Sequence, residues 1–210
     1  GQIKMGRWRS EFVVEKEGER IGKVNLQLLG HCNILNALAT IAIGLNLKIP
    51  FSTIAQSLCQ FQGVRRRLEI KTRDGIMVVE DYSHHPAEIS TALQALRATR
   101  PRKLWCVFQP HRYSRVAYFA RGMAAALMEA DHIIMTDLYP AFERPLPGVS
   151  SALIMDELKI LGHKNAIFLK PEAIVDQLIR NLRKGDAVVV MGAGDVGYLA
   201  GQLAHRIKNF

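Results

Sequence analysis

From Leu68 onward the chain alternates short runs of β-branched and apolar residues with longer stretches whose apolar residues recur every three or four positions, and few folds accommodate that alternation. The strand-like runs are LEIKT, IMVVE, KLWCVFQ, HIIMTD, AIFLK and AVVVMG, the first two joined by an Arg73-Asp74-Gly75 turn. The helical stretches are Pro86 to about Thr99, YFARGMAAALMEA, SALIMDELKILG, EAIVDQLIRNL and GYLAGQLAHRI. Strands alternating with helices of roughly 10 to 15 residues predict an α/β fold: a Rossmann-like, mostly parallel sheet with helices on both faces.

The first 66 residues read differently. RWRSEFVVE and RIGKVNLQLL, separated by KEGE, predict an antiparallel hairpin. NILNALATIAIGLNL, from Asn33, and STIAQSLCQF, after Pro50, predict two helices, the second stopping by Gly63. A hairpin and two helices do not complete an α/β unit. They are expected to be the tail of a domain that begins upstream, with residues 1–66 in that domain and residues 67–210 in the next.

The totals narrow the classes. At 210 residues and 49% hydrophobic content the chain can bury a sizeable core. No apolar run approaches the roughly 20 residues of a membrane helix, and GQIKMGRWRSE lacks the apolar block of a secretory signal, so neither a membrane partner nor export is expected and the cytoplasm is the default. Cys32, Cys59 and Cys106 lack C-x-x-C spacing and sit in apolar sequence, which predicts reduced core thiols rather than a disulfide or zinc frame. The net charge of +9 suits anionic substrates, nucleic acid or a solvated basic face. No basic stripe with interleaved aromatics and no reading module points to nucleic acid. GVRRRLE, at Gly63 to Glu69, suits a phosphate contact or an exposed interdomain hinge.

In open parallel sheets ligands bind outside the carboxyl ends of the strands. Here those ends run into DYSHHP, QPHRYSR, LYPAFER and GAGD, so charged, aromatic and imidazole side chains are expected at one edge. GAGDVG, Gly192 to Gly197, matches G-x-G-x-x-G but has no second strand or ribose-binding acid after it. Its glycines are expected to turn tightly beside a phosphate or carboxylate, with Asp195 as a helix cap. Adjacent His84 and His85 diverge and make a poor metal chelate, so one is expected in the crevice and the other against the proline or helix, and no metal site is assigned. Arg112 and Arg115, three apart, can face one carboxylate or phosphate if a helical turn starts there, or can pair with Glu80, Asp81 or Glu143. Asp81, at a strand end, can accept both hydroxyls of a ribose.

Taken in order, GHCNILNALA, FQGVRRRLE, VVEDYSHHPAEI, VFQPHRYSR, DLYPAFERPLPG and MGAGDVG resemble the final part of the bacterial Mur ligases, over nearly the whole chain from about Leu28. The branch they look most like joins L-alanine to UDP-N-acetylmuramate. The resemblance implies three domains, of which this chain holds the end of the central ATPase domain and all of the C-terminal one. It implies ATP and Mg²⁺ as cofactors and an acyl phosphate attacked by the amine. It implies Asn33 and Asn36 at the adenine, Arg67 at the ATP phosphates in a catalytic role, and Asp81 at the ribose. It also implies His84 as a catalytic and amino-acid-binding group beside Arg112 and Arg115. Four positions depart from the pattern: His31 stands for Arg, Cys32 for His, Glu80 for Asp and Leu68 for an aromatic. No G-x-x-x-x-G-K-[ST] loop occurs, so the chain by itself is expected to be inactive. A sister ligase that reattaches recycled peptides and a non-catalytic basic binding module are the alternatives. Oligomeric state is left open.

Overall fold

The computed structural model describes residues 2–6 and 9–208, with the side chain of residue 5 excepted. Arg7 and Trp8, expected at the start of the hairpin, lie outside the described residues. The chain forms two compact units, one of residues 1–64 with 94–100 and one of residues 65–93 with 101–210.

The first unit begins with β1 (Ile3–Met5), β2 (Ser10–Lys16) and β3 (Glu19–Leu26), an antiparallel sheet in that order. The hairpin is as expected, while the three-residue β1 was not, its run being too short to alternate. Next come α1 (His31–Asn46) and α2 (Phe51–Gln60). Ile34, Ala37, Ile41 and Gly44 form the buried stripe of α1, spaced at three and four residues. They close a core with Phe12, Val14, Val24, Leu26, Ile54 and Leu58. A Cβ on Gly44 would lie 2.6 Å from Ile54 Cδ1, so glycine sets the spacing of the two helices.

The second unit contains β4 (Glu69–Thr72), β5 (Met77–Asp81), β6 (Leu104–Phe108), β7 (His132–Met135), β8 (Ala166–Phe168) and β9 (Ala187–Met191). Helix α3 (Pro86–Arg97) follows β5, and α4 (Tyr113–Leu127), α5 (Ser151–Ile160), α6 (Pro171–Asn181) and α7 (Tyr198–Lys208) follow β6 to β9 in turn. The sheet order is β4-β5-β9-β6-β7-β8, with β4 antiparallel and all other pairs parallel. MVVED, LWCVF and AVVVM are buried at every residue, because a central strand with both faces covered has no wet side. Val78, Val107, Ile134, Val188 and Val190 pack on one face against Ile174, Leu178, Leu199 and Leu203 of α6 and α7. Alternation sends Val79, Cys106, Val189 and Ile133 to the other face. Emptying the Phe108 site by substitution with Ala would cost roughly 4 kcal/mol.

Two helix starts show their local cause. Pro171 stands in the first turn of α6, where its missing N–H is harmless, and Ser150 Oγ accepts from the Ala152 amide to cap α5. The thiol expectation needs correction. Cys106 is a core thiol, but Cys32 is exposed at the start of α1 and Cys59 is half-buried, because an apolar neighbourhood in sequence wraps around a helix and only one face turns inward.

Candidate functional site

At the carboxyl edge of the second unit the segment before β4 is stitched to the end of β5. Asp81 Oδ2 accepts from the Leu68 amide at 2.8 Å and Oδ1 from the Ser83 amide at 2.8 Å, and the Tyr82 amide donates to Arg66 O. Asp81 is 4% exposed. Expected as a ribose acceptor, it holds the turn in this geometry, with both oxygens engaged by backbone.

The arginine cluster divides its work. Arg66 turns inward: one guanidinium nitrogen donates to Gly192 O and Gly194 O, each at 2.8 Å, while its Nε pairs with Glu80 at 3.0 Å. Lys71 reaches Glu80 and Glu69, both at 2.8 Å. Burial lowers the Lys71 ammonium pKa, but the two carboxylates outweigh it and leave the pKa raised. Arg67 stays exposed, 3.8 Å from Glu88 and over the Tyr82 ring at 5.5 Å. An inward Arg66 and an outward Arg67 therefore stand where the sequence shows only consecutive arginines.

Glycine is required where the loop after β9 closes on this network. A Cβ at Gly197 would lie 3.0 Å from Glu80 Cδ, and one at Gly194 would lie 2.6 Å from the Tyr139 ring. Gln109 latches the same loop, donating to Asp195 Oδ1 at 2.8 Å and accepting from the Val196 amide at 3.2 Å. The expected cap at Asp195 is thus corrected: its carboxylate is taken by Gln109, a partner 86 residues away.

After β5 the His-His-Pro turn is set by Glu88, whose Oε2 accepts from the His84 and His85 amides at 3.1 and 3.2 Å. This is a helix-start carboxylate reaching back to free amides. Burial raises the Glu88 pKa, yet those amides and the charges of His84 and Arg67 leave it below its ordinary value. The histidines diverge as expected: the His85 ring packs on Phe119 at 4.8 Å and the His84 ring faces His111 at 5.7 Å. His84 Nδ1 lies 3.0 Å from Tyr82 O. A carbonyl only accepts, so the proton is on Nδ1 and Nε2 of the neutral ring carries the lone pair.

After β6 the helical turn begins, with Arg112 as the N-cap of α4 at φ 69°. Arg115 donates to His111 Nδ1 at 3.0 Å, which puts the His111 proton on Nε2. Burial, then the charges of Arg115, His84 and Arg112, push the His111 pKa down to about 4. The ring stacks on Tyr139. The acidic partners considered for the arginines are engaged elsewhere: Glu143 accepts from the Ser114 amide and hydroxyl at 2.9 and 2.6 Å. Arg112 is exposed, and no side-chain hydrogen bond or ion pair engages it among the described residues.

The edge thus carries Arg67, Arg112 and Arg115 around two imidazoles whose neutral forms have opposite tautomers, suited to gripping an anion beside a group that takes a proton. Asn33 and Asn36 belong to the first unit, on α1, where Asn33 donates to Leu29 O at 2.7 Å and Asn36 to Asn33 Oδ1 at 3.5 Å. Sequence reasoning weighed Arg66 only as a phosphate contact or an exposed hinge, where it turns inward instead, and did not single out Glu88, Gln109 or His111. For Gln109 and His111 the available signal was their place in the loop after β6, whereas Arg66 precedes β4 and Glu88 stands in the first turn of α3.

Residues 66–194 match the family model described as Mur ligase, glutamate ligase domain. The UDP-N-acetylmuramate--L-alanine ligase of Desulfatibacillum aliphaticivorans is 42% identical over 190 residues, covering 89% of this chain and 42% of the relative. The crystal structure of the UDP-N-acetylmuramate-alanine ligase of Thermotoga maritima superposes with a TM-score of 0.84 at 30% identity, over 99% of this chain and 45% of that one. A murein peptide ligase from Psychrobacter arcticus gives 0.62 at 23% identity, over 97% and 42%, a likeness of fold. The chain spans less than half the length of these proteins.

Proposed function

Because the chain belongs to the Mur ligase family, we propose that it is the amino-substrate-binding part of an ATP-dependent amide ligase that joins L-alanine to UDP-N-acetylmuramate in peptidoglycan synthesis. The observation that supports this most is the grouping of Arg112 and Arg115 with His84 on one edge, the acceptor nitrogen of His84 unprotonated in its neutral form.

In this reading ATP converts the muramoyl carboxylate to an acyl phosphate. Arg67, exposed and loosely paired, faces the phosphoryl oxygens, where a fixed cation stabilises charge that grows in the transition state. Arg112 and Arg115 hold the alanine carboxylate and so place the amine, which is catalysis by positioning. The amine nitrogen attacks the acyl carbon, the carbon–nitrogen bond forms, the bond to phosphate oxygen breaks, and phosphate leaves with the electron pair. The proton lost from nitrogen passes to His84 Nε2. Asn33 and Asn36 take the adenine. The geometry of Asp81 favours its holding of the Leu68 and Ser83 amides, with any ribose contact left to the remaining lone pairs. Mg²⁺ accompanies ATP in this scheme, but among the described residues no group of three His, Cys, Asp or Glu is placed to hold a metal ion. In this reading Arg67, Arg112 and Arg115 supply charge and position, and His84 supplies the proton acceptor.

The test supplies the full-length protein with ATP, UDP-N-acetylmuramate and either L-alanine or a recycled tripeptide. Release of ADP with formation of the amide from L-alanine is expected. Turnover with the tripeptide alone would reassign the chain to the peptide-recycling reaction.

A further inference from the structure

We propose that Phe142 is a specificity-determining side chain that covers the amino substrate held by Arg112 and Arg115, an inference that rests on the ligase reading above. Phe142 has a relative exposure of 103%, and no ring contact or cation engages it among the described residues. It nevertheless stands in the left-handed backbone region, φ 70°, directly after Ala141 at φ 49°. Bulky residues rarely adopt that conformation, and when they do the surrounding structure enforces it.

The enforcement is visible on both sides. Tyr139 N donates to Pro110 O at 2.8 Å, Arg112 N donates to Tyr139 O at 2.8 Å, and Glu143 holds Ser114 through two hydrogen bonds. The backbone that carries Phe142 is thereby fastened to the segment that carries Arg112, itself at φ 69°. Contacts of the free ring do not offset the strain. A cation whose side chain makes no hydrogen bond or ion pair among the described residues, and an aromatic ring without a packing surface, rooted in two segments tied together, make a receptor for a small molecule with a carboxylate at one end and a short apolar group at the other. That is the chemistry of an amino acid such as L-alanine.

Steady-state kinetics of the full-length enzyme with the Phe142→Gly, Phe142→Leu and Arg112→Ala variants test this. Phe142→Gly should raise the KM for L-alanine about tenfold, the scale of a lost apolar contact, and leave the KM for ATP unchanged. Phe142→Leu should restore most of the affinity. The melting temperature of Phe142→Gly should not fall, because glycine adopts positive φ freely. If Arg112→Ala raises the KM for L-alanine and Phe142→Gly does not, the role of Phe142 is overturned and the ligase reading stands. If neither variant alters it, or the parent enzyme does not use L-alanine, both fall.

Discussion

Two neighbouring arginines separate structure from chemistry. Arg66 bridges two glycine carbonyls and the Glu80 carboxylate, which is only 10% exposed, whereas Arg67 makes a long, solvated approach to Glu88. Removing one partner of a nearly buried ion pair costs about 3 kcal/mol, while an exposed arginine away from such a pair usually matters by less than about 0.5 kcal/mol. Arg66→Met should therefore lower the urea midpoint of the chain clearly and Arg67→Ala hardly at all; equal shifts would refute the division. Little of this division was legible beforehand. Arg66, Glu88 and Asp81 act on backbone amides and carbonyls, and the partners of Arg66 lie 126 and 128 residues away, where no spacing rule in sequence can see them. The position of His84 and Arg112 at the carboxyl edge was legible because they follow buried strands, and such loops are where a parallel sheet places its chemistry.

Elements were easier to read than contacts. The β5, β6 and β9 runs are short, apolar and β-branched, and each is followed by a helical period, so their type follows from burial on both faces. What escaped was β1, too short for a pattern, and the true latch of the GAGDVG turn. Capping rules are local and pointed to Asp195, while the amide of Val196 is satisfied by Gln109 from the end of β6. The same turn supplies a test of how tightly α7 is seated. A methyl group at Gly197 has no room beside Glu80 Cδ at 3.0 Å, and overpacking of this kind costs roughly 1–3 kcal/mol. Gly197→Ala should lower the thermal midpoint, and it should lower it less in a Glu80→Ala background, itself destabilised by loss of the Arg66 and Lys71 pairs, than in the parent. An equal loss in both backgrounds would show that the clash lies elsewhere.

For the molecule as a whole, the charge of +9 has a pH signature that the edge groups sharpen. His111 titrates near 4 when folded and near its ordinary 6.5 when unfolded. Between those values the unfolded chain holds the extra proton, so stability falls as pH falls through this window and is flat above it. Glu88 and Glu143 act in the same direction at lower pH, because their folded pKa values are depressed and their contribution disappears on protonation. Denaturation midpoints measured from pH 7 to 5 should decline, and His111→Gln should flatten that decline. An unchanged slope would mean that the histidine is charged when folded.

Cys106 lies at 0% exposure in the middle of the six-stranded sheet, whereas Cys32 is open to solvent. Burial raises the Cys106 pKa and leaves no reactive thiolate while the sheet is closed. A thiol-labelling reagent therefore finds Cys32 at once, half-buried Cys59 more slowly and Cys106 only when the strands part, so in a Cys59→Ser background counting labels against time makes the protein its own clock for how often that half of the molecule opens.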